Sequence, residues 1–278
     1  MVRNIRTFPG VGSPVKDIMA RQTYPTVLDQ NDLSQLEEQI SEYRGLLDSL
    51  SSEQNERLHE ALDITACYHE FAVEGVVLNH LEIKSALDER IISDSSLIPH
   101  YEEVRAFYQG IRKIRQDGSK KRLTLTVKTI KELHETITVA VDSKALTYRK
   151  EIPLHRQYAH DFAPPNKIGY MMKKLGDWLQ SASFRKMPPL LKAAGVHNRI
   201  MAIFPWPRNS GSLARLVMNL VLIHADYPMV MVPAVERQTY YDNIQADLSH
   251  DSDVRMVNFL AETINQYIVS ISKRLSPL

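Results

Sequence analysis

Residues 190–228, LLKAAGVHNRIMAIFPWPRNSGSLARLVMNLVLIHADYP, constrain the fold more than any other part of the chain. Val196, Ile200, Ile203 and Phe204 recur at helical spacing until Pro205 stops the run, and Leu213, Leu216, Val217, Leu220 and Val221 mark a second helix after a six-residue loop. Two such apolar helices in succession are expected to form the centre of the protein, with the loop where they converge. That loop, Trp206 to Gly211, ends at a helix start, where several backbone N–H groups lack intrahelical partners and the macrodipole is positive. Arg208 lies in it and Arg215 one turn into the helix, so a phosphate could meet amides and two guanidinium groups together. A tight turn with Ser212 as N-cap and two surface arginines accounts for the same residues.

Helical runs dominate elsewhere. Leu33, Leu36, Ile40, Tyr43 and Leu47, then Leu58, Leu62 and Ile64, predict an antiparallel pair, and further helices are expected over 101–114, 127–139, 165–180, 188–204, 212–224, 235–247 and 254–272. Prolines 164–165 and 188–189 sit at helix starts, where a missing N–H costs nothing. Between Tyr148 and Ala163 the pattern breaks into an extended or hairpin-like excursion, and no internal repeat is present. The class is all-α with a small β-hairpin flap. An irregular arm is expected over residues 1–30, a helical N-terminal region over 31–115 and a helical core over 120–278.

The 34 basic and 33 acidic residues leave +1, which points to no polyanion, membrane surface or acidic substrate. Residues 112–131 hold eight basic residues against one acid, Asp117, but no aromatic residue interleaves with Lys120, Lys121 and Arg122, so the stretch reads as a solvated turn rather than a nucleic-acid site. Cys67 is the single cysteine, so a disulfide framework is excluded, and no spacing offers a zinc site. The N-terminal residues lack the apolar core of a signal peptide and no stretch approaches the ~20 apolar residues of a membrane span, so a cytoplasmic location is expected.

The 204–215 segment, FPWPRNSGSLAR, resembles the Fic-domain signature HxFx(D/E)GNGRxxR, and the following LVMNLVLIHADYP resembles the family's downstream helix. KTIKELHETI, Tyr148-Arg149, APPNKIGYMMKKLGDWL and VERQTYYDNI fall in the family's order, so the likeness runs over roughly residues 60 to 270. The resemblance implies a Fic-like helical core whose flap, residues 150–162, pairs with an extended target peptide or protein. It also implies a nucleotide- or anion-binding site at Arg208, Asn209, Ser210, Gly211, Ser212, Arg215, Tyr240 and Tyr241.

The departures from the signature are chemical. Phe204 stands where the family's base is a histidine, and phenylalanine accepts no proton. Arg208 stands where the family's acidic residue holds magnesium, so no metal is expected. Asn209, Ser210 and Ser212 replace a glycine, an asparagine and an arginine, and Leu248 falls at the family's adenine-binding asparagine. ACYHEFAVEGVVLNHLEI resembles the family's inhibitory helix, with Glu74-Gly75 in place and Glu70 at the Ser/Thr position, which implies a regulatory pairing of Glu74 with Arg215. His197 and His224 read as packed or capping residues, and His155 and His160 as exposed polar ones.

These departures lead to a binding or regulatory pseudoenzyme with no catalytic residue, taking at most a nucleotide or other phosphate-bearing ligand without metal. A metal-independent transferase of a nucleotidyl, phosphoryl or sugar group is the alternative, and a homo-oligomer is compatible with either.

Overall fold

The computed structural model describes residues 30–88, 100–139, 143–153 and 160–275. Among them eleven α-helices follow one another: α1 (Gln30–Asp48), α2 (Ser52–Val73), α3 (His80–Leu87), α4 (Tyr101–Gly118), α5 (Val127–Ile137), α6 (Ile168–Leu179), α7 (Ala182–Lys186), α8 (Pro189–Ile203), α9 (Ser210–His224), α10 (Arg237–Ser249) and α11 (Val254–Leu275). The all-α class holds. No strand occurs among the described residues, so the expected hairpin is not seen: 150–153 and 160–162 are irregular, and 154–159 lie outside the described residues.

The centre is the α8–α9 pair. Every residue from Ala193 to Ile203 and from Ser210 to Leu222 is buried, so both helices need cover on all sides. α4 and α5 cover α9, while α6, α10 and α11 cover α8. α4 comes close because Gly110 has no side chain: a Cβ there would stand 2.5 Å from Ile137 and 3.0 Å from Leu216.

α2 carries the N-terminal region onto this centre. It starts at a capping box, Ser51 with Gln54. It ends where Gly75, at φ 85°, reverses the chain, with Val76 N–H donating to Phe71 O at 2.8 Å and Gly75 N–H to Ala72 O at 3.1 Å. Such a C-terminus requires glycine at 75 and leaves Glu74 at the last helical position. α2 packs on α3 and α4, whereas α1 packs along α11, with Tyr43 and Tyr267 hydroxyls 3.1 Å apart. The expected antiparallel pairing of the first two helices is therefore corrected: α1 buries Leu36, Ile40 and Tyr43 by packing along the amphipathic C-terminal helix instead.

Candidate functional site

The 204–211 loop is pinned by its own side chains. Phe204 (φ 44°) and Asn209 (φ 60°) close the two helix ends in the left-handed region, which suits asparagine and costs a bulky residue about 1–2 kcal/mol. Ser210 Oγ accepts from Trp206 N–H at 2.9 Å and donates to Trp206 O at 3.0 Å. α9 thus begins at Ser210 rather than at Ser212, and Ser212 lies in its first turn instead of capping it. Asn209 gives no cap either, since its Nδ2 donates to Ile137 O at 3.1 Å and Thr138 Oγ1 at 3.2 Å. His134 stacks on Trp206 with ring centroids 4.2 Å apart, and its Nε2 lies 3.1 Å from Arg208 O. Burial lowers its pKa to about 4, so the ring is neutral and Nε2–H is the donor to that carbonyl.

On the flap side the loop meets aromatic carbon and one arginine. Phe204 is 3% exposed and lies 4.6 Å, centroid to centroid, from Phe162. Arg149, also buried, donates from Nε to Phe204 O at 2.6 Å, from Nη2 to Ile203 O at 3.2 Å and to Ala163 O, and from Nη1 to Glu151 O at 2.9 Å. Two of these carbonyls form the C-terminal end of α8, the negative end of its dipole. No carboxylate answers Arg149 among the described residues, and burial lowers its pKa. His160, expected at the surface, is 8% exposed, with Nε2 3.2 Å from Met201 O. Burial holds its pKa near 4. The flap's returning end is thus folded onto α8, where Ala163 N–H also donates to Ala202 O at 2.9 Å.

On the α2 side the site is ionic. Arg215, 4% exposed, donates from Nε to Glu70 Oε2 at 2.8 Å, from Nη2 to Glu70 Oε1 at 2.5 Å and to Glu74 Oε1, and from Nη1 to the Tyr240 hydroxyl at 3.2 Å. Burial opposes its charge, but Glu70, Tyr240 and Glu74 together hold its pKa well above the ordinary value. Tyr240 donates in turn to His197 Nε2 at 2.6 Å, and His197 Nδ1 lies 3.0 Å from Asn198 Oδ1. Asn198 Nδ2 then donates to Asp253 Oδ1 at 2.9 Å and Asp247 Oδ2 at 3.2 Å. Burial depresses the His197 pKa to about 3, so the ring is a neutral link, donating through Nδ1 and accepting through Nε2. A buried polar chain therefore runs from α2 through α9, α10 and α8 to the start of α11, where Asp247 also takes the N–H groups of Arg255 and Met256. Tyr241 closes the contact by donating to Val73 O at 2.9 Å, at the C-terminus of α2.

The residues expected in the site therefore fall into three groups. Arg215, Tyr240, Tyr241 and Glu74 meet, but as a closed internal cluster, with both tyrosines buried. Ser210 and Gly211 are buried in the helix start, the Ser210 hydroxyl committed to Trp206. Arg208, Asn209 and Ser212 line a cavity of about 190 Å³ whose other walls include Glu70, Glu74 and Glu103. Three carboxylates facing one lining arginine, Arg208, make it a poor receptacle for phosphate. Glu70 was missed as an arginine ligand; its spacing of four from Glu74, which puts both carboxylates on one helix face, was the available signal. His134, Arg149 and Asn198 also act here, and single positions with no periodicity of their own give no such sign.

This loop between two buried helices, with a glutamate-bearing helix docked on its arginine, defines a Fic-domain protein. Residues 124–222 match the Fic/DOC family model, so the chain carries a Fic domain there. It is 28% identical to "Protein adenylyltransferase Fic" of Drosophila willistoni over 212 residues, 74% of this chain and 41% of that protein. It is 25% identical to the protein of that name from Aedes aegypti over 268 residues, 93% of this chain and 52% of the relative. The chain thus spans about half the length of these relatives. A Fic-domain-containing signalling protein from Bacteroides thetaiotaomicron superposes with a TM-score of 0.72 at 25% identity, covering 86% of this chain and 95% of that one. Fic-1 from C. elegans gives 0.72 at 22% identity, over 87% and 70%. No helix among the described residues is long and apolar enough to cross a membrane.

Proposed function

We propose that this chain is a Fic-fold pseudoenzyme, a binding or regulatory module that does not transfer AMP and whose cleft is closed by its own α2. The observation that carries this reading is the capture of Arg215 by Glu70, Glu74 and Tyr240, beside a base position filled by buried Phe204. Magnesium is not part of this reading, because Arg208 stands where the family's acidic residue would hold it. Nucleotide or another phosphate-bearing ligand enters only when the α2 carboxylates release Arg215. The ligand then meets Arg208, Arg215 and the uncapped N-terminus of α9. The 150–162 flap is the surface offered to a protein or peptide target.

The test incubates the protein with ATP labelled on the α-phosphate, with and without magnesium, for the native chain and for the variant carrying Glu70→Gln and Glu74→Gln, and follows ATP binding by thermal shift. No label is expected in either protein, and ATP is expected to stabilise only the variant. Label incorporated by the native chain, into itself or a supplied protein, would overturn the reading.

A further inference from the structure

The end of the α8–α9 pair opposite the 204–211 loop, about 20 Å away at 1.5 Å per helical residue, carries a second surface. Five of the eight basic residues of 112–131 have partners elsewhere. Lys113 and Lys120 share Asp117 at 3.5 and 2.5 Å, Arg115 reaches Asp63 at 2.6 Å, Lys128 faces Glu132 at 3.8 Å and Lys131 lies 5.0 Å over the Tyr148 ring. Lys121 and Arg122 are exposed and have no ion pair among the described residues. They form one lip of a groove of about 480 Å³, with Arg185 of α7 and Lys192 of α8 across it, and none of its lining residues is acidic. Its floor is apolar, built from Leu125, Leu179 and Val221. Gln180 Nε2 donates to Leu125 O at 3.1 Å and fixes the lip to the end of α6, while the main-chain N–H groups of Leu123, Thr124 and Leu125 have no partner within the described residues.

We propose that this groove docks an extended, acidic, leucine-bearing segment of a protein partner. Four like charges around one apolar channel repel one another. Carboxylates on the rim remove that repulsion, apolar side chains cover the floor, and the peptide main chain meets the amides of 123–125. Nucleic acid suits the groove less, because, of its two lining rings, Phe184 is buried with Lys192 5.8 Å over it and His224 is tied through Nδ1 to Gly118 O at 3.1 Å. The inference does not depend on the state of the Fic cleft.

The probe is a short fluorescein-labelled peptide alternating Glu with Leu, titrated against the full chain by fluorescence anisotropy at low and moderate salt. Saturable micromolar binding is expected, weakening with salt and falling roughly tenfold, or about 1.4 kcal/mol, in K121E/R122E. R185E, on the opposite wall, is expected to act in the same direction. These side chains are exposed and outside any ion pair among the described residues, so both variants should keep the native circular dichroism and unfolding midpoint. Absent binding, unchanged affinity in both variants, equal binding of the peptide with Lys for Glu, or tighter binding of a single-stranded oligonucleotide would each overturn the proposal.

Discussion

On the α2 side of the loop, buried charge is answered by charge: Arg215 meets two carboxylates and the chain of groups behind it ends on Asp247 and Asp253. On the flap side, Arg149 is equally buried but is held, among the described residues, by main-chain carbonyls, with Phe204 and Phe162 packed at a tilt beside it. Both sides hold a buried arginine, yet by different physics. The ionic side holds together only while each charge keeps its partner. The aromatic side depends on shape and exclusion of water, with the negative end of α8 supporting its cation. The first side is built between separate helices, α2 and α9, whereas the second is built into the C-terminal end of α8 itself.

The sharpest way to break this contrast is to remove Arg215. Arg215→Ala leaves Glu70, 8% exposed, without its cation, and loss of one member of a buried pair costs about 3–5 kcal/mol. The urea midpoint should fall accordingly, and Tyr240 and His197 should lose their fixed hydrogen-bond order. A change below about 1 kcal/mol would mean that the pair behaves as a surface one and that the ionic side does not secure α2.

How much of this was legible depended on whether a feature repeats. The α8–α9 centre shows in the sequence because apolar residues recur over four turns on each side of Pro205, and the proline pair at 188–189 marks the start of α8. Glu74 stands out through the resemblance to the family's inhibitory helix, in which a glycine follows the glutamate. Glu70 was passed over because the family pattern puts a hydroxyl there, and its pairing becomes visible only once α2 and α9 are in contact. His160 read as exposed because the irregular segment around it gives no period from which to infer an inward face. The partner of α1 was misjudged for a related reason: amphipathicity shows that a helix needs a partner, not which one, and chain adjacency favoured α2 over the distant α11. The whole-family likeness fixed the architecture, while the charge state of the cleft needed coordinates.

A second test compares the sides by pH. His134 and His160 belong to the flap side and His197 to the ionic side, and burial lowers their pKa values to about 4, 4 and 3. Each ring is neutral in the folded protein, so below the unfolded value near 6.5 the unfolded chain binds more protons and stability falls as pH falls. The loss accumulates from about pH 6.5 toward pH 4, at roughly 1 kcal/mol per histidine per pH unit. Urea midpoints at pH 7.5 and 5.5 should show this drop, to which His59 and His69, also lowered by burial, add, and His160→Asn should remove its own share of it. A midpoint that rises on acidification would place charged histidines in the fold and undo the neutral tautomers assigned to both sides.

The smallest effect expected is also the one that most directly separates loss of the base from loss of the metal site. Phe204→His restores the family's base at a position 3% exposed and packed against Phe162 at a tilt. Replacing buried aromatic surface by an imidazole there should cost about 1–2 kcal/mol, measured as a modest shift in the urea midpoint. The backbone already holds the left-handed conformation at 204, so no rearrangement of the helix end is needed. AMP transfer should still be absent, because Arg208 remains at the metal position and Glu70 and Glu74 still hold Arg215. Transfer appearing in Phe204→His alone would show that the aromatic side by itself silences the chain, and that the paired charges opposite it serve stability rather than closure.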